Sequence, residues 1–173
     1  MSASAVMILL RLIHILSGVF WAGTVMIVAW FILPAQRRLG EPGLAFLQEL
    51  MLHRRLRVFM MGAMILTILS GLTMYIRMAM LTHGAWTSTT NGIVLGIGGV
   101  AAIIGGGIGG GVVSSAAKKL MTLGGQVQAA GVLPTDTQRA EMARLQGRIS
   151  GAFRITAVLV VIAVAAMASA RYL

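Results

Sequence analysis

From Val6 to Leu33 the chain runs for 28 residues with only two ionisable side chains, Arg11 and His14. A helix of about 20 apolar residues crosses a bilayer, so this stretch crosses with length to spare. Three further apolar runs follow, and spans are expected at about 6–33, 58–78, 92–113 and 152–170. The pattern predicts an all-α fold: one membrane domain over residues 1–173, built as a four-helix bundle in the lipid bilayer. Composition agrees, with 58% hydrophobic and 10% charged residues against about 25% charged in soluble domains. Mean hydropathy is +0.91.

Several function classes drop out early. There is no cysteine, hence no disulfide framework, zinc finger or iron–sulfur cluster. A net charge of +10 is read as basic loops meeting anionic headgroups, not as nucleic-acid binding. The first apolar run is much longer than the roughly 7–15 residues of a signal-peptide core and no positive segment precedes it, so it is expected to stay as a span. No carboxylate pair, nucleophile–base pair or H-E-x-x-H is present, which argues against a hydrolase. No acid lies within a span, which argues against a proton-coupled carboxylate transporter.

Charge sets the expected orientation. The loops between spans one and two and between three and four hold 11 of the 14 basic residues, Arg154 included just inside span four. Basic residues favour the cytoplasmic side. Both termini are therefore expected outside, in the periplasm of a bacterial inner (plasma) membrane. Pro34 is expected to end the first helix, with a loop through Arg37, Arg38, Gly40 and Pro42. From Gly43 the repeat Leu44, Leu47, Leu50, Met51 predicts an amphipathic cytoplasmic lead-in to span two, and His53, among Arg54, Arg55 and Arg57, reads as a headgroup or loop residue. Thr89 or Thr90 is expected to cap span three.

That third span holds ten glycines between Gly92 and Gly111. In a bilayer such residues let backbones approach closely, and Gly92/Gly96, Gly106/Gly110 and Gly107/Gly111 form GxxxG pairs. They predict close packing on a neighbouring span, a second copy, or a subunit of a larger membrane complex. The literal G-x-G-x-x-G at Gly105, Gly107 and Gly110 has no preceding strand and is not a nucleotide fingerprint. Lys118 and Lys119 are expected to close this helix, with Gly124, Gly125, Gly131 and Pro134 breaking the chain. Thr135 or Asp136 then starts a charged helix that flows into the fourth span, separated from the third by a cytoplasmic loop.

An ionisable residue inside a span is by default a candidate functional residue. Arg11, His14, Gly18 and Trp21 share one helix face that lipid cannot satisfy. At the depth of His14 lie Met74 and Tyr75 on span two and Met167 on span four. Haem b needs an axial imidazole and cations for its propionates: His14 supplies the first, Met74 a second axial ligand, and Arg11, Arg77 and Arg171 the cations, with Trp21 and the glycine-rich helix bounding a flat cavity. The competing structural reading has His14 hydrogen-bonded across the bundle and the arginines snorkelling to phosphate. Met78, Met80 and His83 form M-x-M-x-x-H at the outer mouth, one turn beyond Met74, and these ligand types suit Cu(I). Methionines also fill apolar gaps cheaply.

The first-helix pattern, His14 with Trp21 seven residues on and then Ala22-Gly23, resembles the opening helix of CopD-like copper-resistance membrane proteins and of HemJ-type membrane protoporphyrinogen oxidases. The resemblance implies a small helical membrane protein with a haem or copper connection. The expected function is a haem-b protein that transfers electrons or oxidises a lipophilic substrate. Periplasm-facing copper binding or transport, and a structural accessory role in a larger complex, stand beside it as alternatives.

Overall fold

The computed structural model describes residues 3–173. Among the described residues the chain is helical with no strand, and four helices are long and apolar enough to cross a membrane: Ser4–Leu39, Leu56–Leu81, Thr90–Ala130 and Asp136–Tyr172. The first comprises α1 (Ala3–Ile27), a π-helical turn (Val28–Ile32) and α2 (Leu33–Leu39). Pro34 does not end it. Pro34 follows closely on the wide turn, inside a helix that runs on from Ser4 to Leu39, and the altered hydrogen-bond register of that turn accommodates the missing N–H. The break comes at Gly40, with φ +62°. There α3 (Glu41–Gln48) begins, followed by a second π turn, Glu49–His53. Arg55, itself left-handed at φ +54°, leads into α4 (Leu56–Leu81).

Thr89 caps α5 (Thr90–Gly107), its hydroxyl accepting from the Gly92 amide at 3.2 Å. A third π segment, Ile108–Val113, joins α5 to α6 (Ser114–Ala130). The breaks expected at Lys118–Lys119 and Gly124–Gly125 do not occur. Nothing lies within 4 Å of a Cβ built at either glycine, and the helix continues to Gly131, whose φ of +63° gives a left-handed stop. α7 (Asp136–Ser169) opens on a capping box between Thr135 and Gln138 and carries its charged start into the apolar part without a break.

The helices pair as two antiparallel hairpins, α1 with α4 and α5 with α7. In the first, Gly18 faces Thr67 and Gly71 faces His14. In the second, Gly98 meets Ala163 and Ala166, and Gly105 meets Thr156 and Leu159. The shared core is made of small residues, Ala22, Ala29, Ala63, Ala101, Ala102, Ala157 and Ala163, around Val25, Val160 and one large aromatic, Trp21. Small residues let backbones approach. Large apolar side chains such as Leu16, Val19, Phe31, Phe59 and Leu69 point outward, as lipid-facing surfaces do.

Candidate functional site

His14 projects from α1 onto α4. Its Nδ1–H donates to the carbonyl of Thr67 at 2.8 Å, with the Ser70 hydroxyl at 3.4 Å. The ring lies on Gly71: a Cβ there would stand 2.7 Å from His14 Cε1. Beside it the hydroxyls of Ser17 and Thr67 lie 2.8 Å apart, so one donates to the other, and each is also within hydrogen-bond distance of a carbonyl on its own helix, Ser17 of Ile13 O and Thr67 of Ala63 O. The polar cluster thus joins α1 to α4 inside the apolar span, and the bond across the bundle is present as the structural reading expected. It satisfies one ring nitrogen. Nε2 makes no hydrogen bond among the described residues, and no unsatisfied side-chain nitrogen is buried there. A backbone carbonyl on Nδ1–H is the arrangement that fixes the tautomer with its lone pair on Nε2.

The other predicted residues separate. The α1/α4 register that sets His14 on Gly71 carries exposed Arg11 to the level of Met74, one turn further out. Arg77 is half-buried, and neither arginine has a hydrogen bond or ion pair among the described residues. Arg171 belongs to the other hairpin, beside the Asn91 side chain that donates to Ala170 O at 2.7 Å. Tyr75 ties the hairpins together at this end by donating to Gly92 O at 3.2 Å and packing edge-on to Trp86. Met78, Met80 and His83 are all exposed, and His83 is left-handed at φ +50°. Among the described residues no three His, Cys, Asp or Glu side chains come together.

Trp21 lies two turns from His14, about 10 Å along α1, and is buried. It forms the inner wall of a cavity of about 560 Å³ at the opposite, basic end of the bundle. That is within the roughly 300–1,000 Å³ of small-molecule sites. Val25, Val28 and Leu33 continue its wall along the first helix, Leu44, Leu47 and Met51 come from α3 and the turn after it, Met60, Met61 and Met64 from α4, and Phe153 from α7. Gly109, Gly110, Gly124 and Gly125 supply a side without side chains. Polar groups are few: Gln48, Gln128, Gln146, Ser114, Thr156 and one charge, Arg57.

All three π segments reach this cavity, through Val28, through Met51 and Leu52, and through Gly109, Gly110 and Val113. A π turn widens a helix locally and is frequent at functional sites. Trp21 and the glycine-rich helix line this cavity and not a cleft at His14, which is absent from its wall. The α4 methionines singled out from the sequence, Met74, Met78 and Met80, lie at the other end of that helix, and Met60, Met61 and Met64 were not among them. The cavity was not legible in the sequence, because it needs α3, α6 and the start of α7 to fold over it. No protein-family model, curated protein or solved structure matches the chain.

Proposed function

We propose that this is an integral membrane protein that holds a lipophilic small molecule in the methionine-lined cavity, with both termini on the periplasmic side of a bacterial inner membrane. The observation that carries the reading is the convergence of three π segments on a single apolar cavity with few polar groups in its wall. Methionine suits such a wall because it is flexible and polarisable and adapts to an occupant. The orientation rests on the excess of Lys and Arg in the two loops at the cavity end. Mass spectrometry of the intact protein, released from native membranes, tests the binding. A bound apolar molecule is expected, and Gly109→Phe or Gly124→Phe should abolish it. Both positions are open, with nothing within 4 Å of the new Cβ, so the ring fills space instead of displacing backbone. A bound molecule retained in both variants would overturn the reading.

A second reading is favoured by the orientation of His14. With Nδ1–H held by Thr67, Nε2 is available as an axial ligand for haem b, and Arg11 and Arg77 at the same end supply cations without carboxylate partners. A haem there would serve electron transfer or oxidation of a lipophilic substrate.

A further inference from the structure

The cavity has one charged side chain in its wall. Arg57 stands at the second residue of α4, exposed, with no hydrogen bond or ion pair among the described residues. Glu49 accepts from Arg54 at 2.9 Å and lies 3.2 Å from His53, and Glu141 accepts from Arg144 at 2.7 Å, so neither is paired with Arg57. Arg37, one turn past the wall residue Leu33, is likewise unpaired. From Arg57 the same face of α4 continues inward through Met60, Met61 and Met64, and Trp21 closes the far end. The slot therefore has an exposed cation in its wall and, from there toward Trp21, an apolar run of about two helical turns, some 10 Å.

We infer that the ligand of this cavity is a single-chain carboxylate amphiphile, its head on Arg57 and its chain lying along the methionines toward Trp21. The inference rests on the cavity reading above and adds the ligand's class. A guanidinium binds a carboxylate through two parallel hydrogen bonds, and the amide of Gln48 in the same wall supplies a further donor. A volume of about 560 Å³ matches one small ligand, and an ester or alcohol of the same chain would offer Arg57 no negative charge to pair with.

Trp21 reports occupancy directly. In a Trp30→Phe, Trp86→Phe background it is the one remaining tryptophan, and it is only 5% exposed. Full-length protein in phosphatidylcholine nanodiscs is titrated with dibromostearate and with its methyl ester, whose bromines quench indole at contact. Dibromostearate should quench saturably at roughly tenfold lower concentration than the ester, the scale of a charge-assisted hydrogen bond. Arg57→Gln should erase the difference, and Arg57→Lys should restore part of it, which separates lost charge from misfolding. Equal quenching by acid and ester would overturn the carboxylate assignment while leaving the cavity reading in place. No quenching by either would overturn both. Displacement of dibromostearate by added phosphatidylglycerol would overturn the single-chain assignment in favour of a lipid headgroup.

Discussion

At the scale of single residues, the contact between His14 and Gly71 separates the two roles of the imidazole. A methyl group at Gly71 would stand 2.7 Å from His14 Cε1 and 3.0 Å from Nδ1, closer than real side chains approach. The ring must turn, and the bond to Thr67 O is lost with it. Gly71→Ala should therefore lower thermal stability by about 1–3 kcal/mol, the usual cost of overpacking. Gly62→Ala, on the same helix with open space around it, should leave stability unchanged or slightly raised. Equal melting temperatures for the two would show that the polar cluster does not hold α1 to α4. The haem reading adds a spectroscopic consequence. Protein made with haem and copper supplied should show a Soret band that vanishes in His14→Ala and shifts in Gly71→Ala. Stoichiometric copper without a Soret band, lost on changing Met78 and Met80, would instead favour the copper alternative.

Among the elements, the glycine-rich third helix divides by face. Gly98 is set against α7, where a Cβ would lie 3.1 Å from Ala166 Cβ and 3.2 Å from Ala163 O; Gly105 meets Leu159 and Thr156 at 3.5 and 3.6 Å. Gly106 faces Ile68 and Met64 of α4, whose flexible ends can move. Within this chain the GxxxG pair Gly107/Gly111 has nothing within 4 Å, and the close approaches are made by Gly98, Gly105 and Gly106 instead. Gly98→Leu and Gly105→Leu should unfold the bundle or cut the yield of monodisperse protein severely, whereas Gly107→Leu should be tolerated. Size-exclusion profiles of the detergent-solubilised variants read this out. Disruption by Gly107→Leu equal to that of Gly98→Leu would mean that a second copy or an accessory partner covers the Gly107 face.

For the whole molecule, the two hairpins leave opposite ends with different chemistry. One end carries His14, Met74 and three arginines, set apart on different helices; the other has the cavity, α3, the α6/α7 turn and most of the basic charge. Proposed orientation and proposed ligand are linked, since a carboxylate amphiphile would enter at the end rich in Arg and Lys. A reporter fused after Leu173 should be active in the periplasm. An alkaline phosphatase fusion that is silent there, with a cytoplasmic reporter active, would invert the topology and place the cavity mouth on the outside.

The sequence by itself determined the four helices and their faces, because apolar length and helical periodicity are local and a bilayer admits little else. It also narrowed the helix starts to Thr89 or Thr90 and to Thr135 or Asp136, and the structure sets the caps at Thr89 and Thr135, where one hydroxyl and one amide three residues apart suffice. Local signals misled at Pro34 and at Gly124–Gly125. A proline or glycine penalty read residue by residue ignores that a π turn can absorb a missing N–H, and that a helix held along α7 tolerates glycine. Only the tertiary structure decided what His14 touches. The partner carbonyl on Thr67 lies 53 residues away, and a backbone carbonyl leaves no mark in composition. The cavity belongs to the same category, since it exists where five separate segments fail to fill the space between them, and no one segment encodes that space.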